Sequence, residues 1–186
     1  MDAAAHARFL ANMAGDAARL THLLSRRMEL AKADLQYPDG QACCDLGDVL
    51  SMIADGLRTT DFNVTLAPSK ALNVAIDSAS MERVATILIE NARQAGATNI
   101  CIAAEITSGQ LMLSFADNGP GIPETDTARI FEPFFTSKRI SGGTGLGLAI
   151  ARSLIEAHGG NLSLIEVAAG TCFLVTLPIA LSAGSY

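Results

Sequence analysis

Basic residues are few and scattered in this chain, with 13 Lys and Arg against 19 Asp and Glu, a formal charge of −6 and a pI near 4.9. This argues against nucleic acid as a partner, because phosphate contacts need clustered Lys and Arg. An anionic ligand has then to be held locally, by backbone amides and a metal ion. Long apolar runs are also missing: none reaches the roughly 18–20 residues that span a bilayer. The alanine-rich start lacks the charged-then-apolar layout of a signal peptide. The chain is therefore expected to make no direct membrane contact. Its four cysteines, Cys43, Cys44, Cys101 and Cys172, lack metal-ligand spacing, and adjacent Cys43-Cys44 is a poor structural disulfide. They read as packed, reduced thiols of a cytoplasmic protein.

Proline is absent before Pro38, and Gly15 is the one glycine before Gly40. Over that stretch Phe9, Met13, Ala17, Leu20, Leu24, Met28, Ala31 and Leu35 recur at threes and fours, the pattern of a long amphipathic helix. Its stripe can pack on the rest of the chain or form a dimer seam. Tyr37-Pro38-Asp39-Gly40 stops it. With 186 residues, of which 49 % are hydrophobic, the chain suits one domain plus an appendage, divided here into 1–37 and 41–186.

Beyond the turn, Asp45 can cap a helix with Leu46, Val49, Leu50, Ile53 and Leu57 on one face. Strands are expected near Val64–Leu66 and Leu72–Ile76, and a second helix over about Ser80–Ala95. The alternating stretches Ile100–Ile106 and Leu111–Ala116 read as a hairpin that delivers Asp117 at a strand end. A third helix is expected over about Thr144–Ala157, closed by His158-Gly159-Gly160, with strands at Leu162–Val167 and Thr171–Leu177.

Two glycine clusters, Asp117-Asn118-Gly119-Pro120-Gly121-Ile122 and Gly143-Thr144-Gly145-Leu146-Gly147-Leu148, flank a segment rich in Pro, Thr, Phe and Gly. That arrangement suggests a nucleotide pocket with a lid, docked through Phe131, Phe134 and Phe135. Two common fingerprints do not fit. The glycines of the second cluster are spaced two by two where the dinucleotide motif needs G-x-G-x-x-G, and no glycine precedes a lysine as in a P-loop. Asp117 can accept a hydrogen bond from an exocyclic amino group or cap its own turn. Gly119 and Gly121 permit positive φ and close backbone approach. Gly143, Gly145 and Gly147 open a helix whose free N–H groups and positive end suit an anion. Glu90 and Asn91 lie opposite the stripe Met81, Val84, Ala85, Leu88, Ala92 and Ala95, on a face that is either solvated or turned to a ligand. Lys138 and Arg139 are either surface charges or cations able to reach phosphates.

Five motifs occur in order: Glu90-Asn91-Ala92, DNGPGI at Asp117, Ile130-Phe131-Glu132-Pro133-Phe134-Phe135, GTGLGL at Gly143, and Gly170-Thr171 with Phe173. Together they resemble the catalytic and ATP-binding domain of sensor histidine kinases, the branch of the GHKL ATPases that also holds gyrase, Hsp90 and MutL. The resemblance covers about Asp45 to Pro178. It implies an α+β fold, a two-layer α/β sandwich of the Bergerat type with helices on one face of a mixed sheet, preceded here by the long N-terminal helix. It implies ATP and Mg2+ as cofactors, Asp117 on the adenine amine, Asn91 on Mg2+, and Glu90 as base or as the group that orients a metal-bound water. Around the nucleotide it places Gly119, Gly121, Ile122, Lys138, Gly143, Thr144, Gly145, Leu146, Gly147, Leu148 and Thr171. Two positions depart from the family: Ile87 stands where an asparagine is usual, and Gln94 where a basic residue is common.

The family's phosphoacceptor histidine, followed by an acidic residue and shortly by a proline, is not found at His6 or His22. The segment from Arg19 to Asp34 instead resembles the second helix of the family's dimerisation hairpin. The expectation is a fragment of a longer kinase that transfers the ATP γ-phosphoryl group to a histidine outside this chain. Its partners would be the histidine-bearing dimerisation helix, a response-regulator receiver domain and a second copy in the full-length protein, which could be anchored in the inner membrane. A non-catalytic ATP-responsive docking module and an anti-sigma-type serine kinase are the alternatives.

Overall fold

The structure, a computed structural model, describes residues 43–67, 72–136 and 144–179. The expected helix over 1–37, together with Lys138, Arg139 and Gly143, lies outside them.

Strand β1 (Cys44–Asp45) pairs antiparallel with β3 (Asn73–Val74) in a small two-stranded sheet. Helix α1 (Leu46–Leu57) starts where the carboxylate of Asp45 accepts the amides of Gly47 and Asp48 at 2.8 and 3.4 Å, which satisfies two of the donors a helix start leaves free. Helix α2 (Ser78–Gln94) starts in the same way, with Asp77 accepting from the Ser80 amide at 2.9 Å. Its residues Met81, Val84, Ala85, Leu88, Ile89 and Ala92 are buried at helical spacing. It ends at Ala95, followed by Gly96.

The main sheet has the order β2-β4-β5-β7-β6, from β2 (Asn63–Leu66), β4 (Asn99–Thr107), β5 (Gln110–Asp117), β6 (Asn161–Ile165) and β7 (Thr171–Pro178). β2 runs parallel to β4 and the other pairs are antiparallel, so the sheet is mixed, as the resemblance implied. Ile100 and Ile102 of β4, Leu111, Leu113 and Phe115 of β5, Leu162 of β6 and Phe173, Val175 and Leu177 of β7 alternate into one core with α1, α2 and helix α4 (Gly147–Ala157). A one-turn helix α3 (Glu124–Thr127) follows Pro123.

Three elements differ from the sequence-based expectations. The strand expected over Leu72–Ile76 is confined to Asn73–Val74 and joins β1, not the main sheet. The last helix starts at Gly147, not near Thr144, because Gly145 adopts φ +67° and its carbonyl is taken by another chain stretch. Strand β6 ends at Ile165, two residues before Val167, which is exposed.

Candidate nucleotide-binding site

Asp117 is the last residue of β5, with Ile100 opposite it on β4 and Thr171 on β7. Its Oδ1 accepts the amides of Gly119 at 2.8 Å and Thr171 at 3.3 Å. Among the described residues nothing donates to its Oδ2. One oxygen thus fixes the carboxylate and the other is left to accept. Gly170 makes this possible: with φ +79°, any Cβ there would collide with the Asp117 carbonyl oxygen, so only glycine lets β7 start flat against Asp117. Both turn chemistry and a free acceptor are present at Asp117, which the sequence alone offered as alternatives. Gly121 has positive φ, whereas Gly119 does not; there a Cβ would approach Asp117 Oδ1 to 2.9 Å. Ile122 packs half-buried against the core, and Thr171 is buried. The same carboxylate bears on Cys172, whose thiol is pushed above its ordinary value by burial and then by the charge of Asp117.

Glu90 and Asn91 are half-buried on α2. Glu90 is held by Arg93, its Oε2 lying 2.6 Å from the guanidinium. Gln94 is exposed. Ile87, one turn before Asn91, packs against the core, and its Cγ2 lies 3.3 Å from where a Cβ of Gly147 would stand. The start of α4 is therefore brought beside the α2 face that carries Asn91.

That start has no side-chain cap: Leu146 is the N-cap, and its own amide points to Thr144 Oγ1 at 3.4 Å. A helix end of this kind presents free N–H groups and partial positive charge. Leu148 packs partly against the core, and Thr144 is exposed. The aromatics between the two glycine clusters are anchored. Phe131 meets Phe173 edge-on at 6.2 Å and lies under Arg152 at 5.0 Å, and Phe135 lies under Arg129 at 4.6 Å. Contacts of this type contribute about 0.5–1.5 kcal/mol each. Phe134 donates its amide to the carbonyl of Gly145 at 2.8 Å.

Residues 76–181 match the family described as histidine kinase-, DNA gyrase B- and HSP90-like ATPases. The chain belongs to this family. Among curated relatives it is 38 % identical over 138 residues to the sensor protein KdpD of Escherichia coli K12, an alignment covering 72 % of this chain and 15 % of KdpD. Against the probable sensor histidine kinase TcrY of Mycobacterium tuberculosis, the identity is 30 % over 96 % of this chain and 39 % of TcrY. The chain thus spans well under half the length of these relatives. Among solved structures, the mycobacterial sensor histidine kinase MprB superposes with a TM-score of 0.62 at 29 % identity, over 74 % of this chain and 96 % of that one. Full-length ShkA in complex with AMPPNP gives 0.66 at 26 %, over 88 % of this chain and 37 % of ShkA. The chain contains the catalytic, ATP-binding domain of a two-component sensor histidine kinase.

The geometry suits a nucleotide. A strand-end carboxylate keeps one oxygen available, and an uncapped helix start lies beside the same helix face as Asn91. For a divalent cation, α2 offers the amide oxygen of Asn91, while the neighbouring Glu90 is tied to Arg93. Among the described residues no three His, Cys, Asp or Glu side chains converge as a metal site. This fits Mg2+ only in the form in which it usually binds, through one or two protein oxygens plus phosphates and water. Two surface clefts, about 360 Å3 beside Phe131 and β6 and about 410 Å3 between α1 and β2, include none of the site residues. Among the described residues the candidate site is built from strand and helix ends.

The Arg93 clamp on Glu90 and the bond between Phe134 and Gly145 were not foreseen. Arg93 stands three residues after Glu90 on a helix, a spacing that signals the ion pair. No local pattern announces φ +67° at Phe134, which only the fold shows.

Proposed function

We propose that this domain transfers the γ-phosphoryl group of ATP to a histidine carried on a dimerisation helix outside this chain. The observation that carries the proposal is the division of labour at Asp117, where Gly119 and Thr171 hold Oδ1 while Oδ2 stays available for the adenine amine. Gly121 and Ile122 would line the base, and Gly145, Leu146, Gly147 and Leu148 the phosphates, with Thr144, Gly143 and Lys138 beside them. Asn91 would hold Mg2+, which supplies charge neutralisation at the phosphates.

In the transfer, a ring nitrogen lone pair of the acceptor histidine forms the N–P bond as the bond from the γ-phosphorus to the bridging oxygen breaks and ADP leaves. The proton on the other ring nitrogen is then released, and Glu90 would take it as the base. Because Arg93 occupies Glu90 in this structure, the carboxylate has to turn from Arg93 to do so. The α4 start holds the transferring group by its amides, which act only if the phosphates lie in line.

The finer architecture belongs to the same proposal: a two-layer Bergerat sandwich over 41–186, preceded by a dimerisation-type helix over 1–37. A response-regulator receiver domain would receive the phosphoryl group, the full-length protein would be a dimer, and this part of it would be cytoplasmic. Among the described residues no helix is long and apolar enough to cross a membrane.

Ile87 favours a second reading, a docking module that responds to ATP without transferring it, because its side chain fills the α2–α4 contact with methyl groups and can ligate nothing. Incubation with labelled ATP, Mg2+ and an added helix bearing the acceptor histidine separates the two. Acid-labile label on that helix is expected. Tight ATP binding with no label would favour the docking module.

A further inference from the structure

We propose that Asn118 is a positioning residue for base recognition, keeping Asp117 in register with the helix that carries Asn91. This rests on the assignment of Asp117 to the adenine amine. Asn118 is fastened to the turn between α2 and β4 by four hydrogen bonds. Its amide donates to the Asn99 carbonyl at 3.1 Å, its Oδ1 accepts the amides of Thr98 and Asn99 at 2.9 Å each, and its Nδ2 donates to Thr98 Oγ1 at 2.9 Å. The turn is in turn fastened to α2, because the Ala97 amide donates to the carbonyl of Ala92, the residue after Asn91, at 3.1 Å.

A short path therefore runs from Asn91 through Ala92, Ala97, Thr98 and Asn118 to Asp117. Each link is either a peptide bond or a hydrogen bond. Gly119 closes the same joint from the other side, since a Cβ there would stand 3.5 Å from that of Ala97. The ladder between β4 and β5 already ends with Ile100 opposite Asp117, so the three side-chain bonds of Asn118 add nothing to strand pairing. They are exposed to solvent and stabilise the fold modestly. What they do is remove the freedom of the loop to swing Asp117 away from α2. An amide side chain suits this because it accepts from two adjacent N–H groups with one atom and donates with the other.

The test is a double-mutant cycle on the full chain, with ATP affinity measured by titration calorimetry and by displacement where binding is weak. Asn118→Ala is expected to weaken ATP binding about tenfold, the loss of one or two net hydrogen bonds' worth of order. In the Asp117→Ala background the same change is expected to move affinity less than about twofold, because no carboxylate is left to position. Asn118→Asp keeps the acceptor, and Thr98 can donate its hydroxyl, so it should stay within about threefold of the parent. Equal losses in both backgrounds would show that Asn118 acts elsewhere and overturn the proposal. If Asn118→Ala melts without cooperativity, Asn118→Ser takes its place in the cycle. An unchanged affinity in Asp117→Ala alone would instead remove the adenine assignment, and the positioning role with it.

Discussion

Phe134 donates its backbone amide to the carbonyl of Gly145 at 2.8 Å, which ties together the two chain stretches on either side of residues 137–143. The tie is close. A Cβ on Gly145 would lie 2.5 Å from the Phe134 carbonyl carbon and 2.7 Å from the Phe135 oxygen, and Gly145 has φ +67°. Gly145→Ala is therefore expected to separate the stretches, destabilise the domain by about 1–3 kcal/mol and weaken ATP binding. Urea unfolding and calorimetry check it. A variant with unchanged stability and affinity would mean that the contact adapts without cost.

Asp117→Ala removes the acceptor of two amides as well as the free oxygen, so it is expected to lose at least about tenfold in ATP affinity. Asp117→Asn discriminates further. It keeps one oxygen for Gly119 and Thr171 but replaces the other acceptor by a donor, which suits a guanine carbonyl better than an adenine amine. The ratio of ATP to GTP affinity should fall in Asp117→Asn. An unaltered ratio would rule out base reading by this side chain.

Asn91→Ala is expected to weaken binding of Mg2+–ATP several-fold more than binding of ADP measured with a chelator, because the amide oxygen acts through the metal. Equal losses for both ligands would make Asn91 a packing residue of α2. Arg93→Ala complements this. It frees Glu90 from its 2.6 Å partner and, if Glu90 is the base, should change phosphoryl transfer more than ATP affinity.

Local chemistry made much of this legible. The caps at Asp45, the stripe on α2 and the alternation of β4 and β5 follow from side-chain period and capping, and each formed close to where the pattern places it. The parallel pairing of β2 with β4 and the insertion of β7 between β5 and β6 did not follow, because strand order is decided by long-range packing that no short window contains. The site shows the same division. Asp117 could be placed at a strand end from sequence, but the amide of Thr171, 54 positions away, decides which oxygen it leaves available. Leu72–Ile76 failed as a full strand for the opposite reason: the apolar residues are there, yet Val74 and Ile76 are buried outside the main sheet.

The pair Asp77 and His158 joins the start of α2 to the end of α4, with Oδ2 and Nε2 3.3 Å apart and neither atom completing a hydrogen bond. The ring is nearly buried, and its Nδ1 lies 2.8 Å from the Leu154 carbonyl. Burial pushes the Asp77 carboxyl up, but hydrogen bonds from Ser80 and the charge of His158 outweigh it, and the folded value lies below the ordinary one. A carboxyl depressed in the folded state adds stability that is complete above its unfolded value, about 3.9, and is lost as pH falls through the folded value. Wild-type protein should therefore lose stability on acidification below about pH 4, and Asp77→Asn should lose less over the same interval while starting about 1–2 kcal/mol lower at neutral pH. His158→Ala removes one of the causes that lower Asp77, so its acid loss should begin at the same pH, be complete at a higher pH and be smaller. Urea unfolding at a series of pH values reads all three curves, and parallel acid losses in wild type and Asp77→Asn would place the acid sensitivity in other carboxylates.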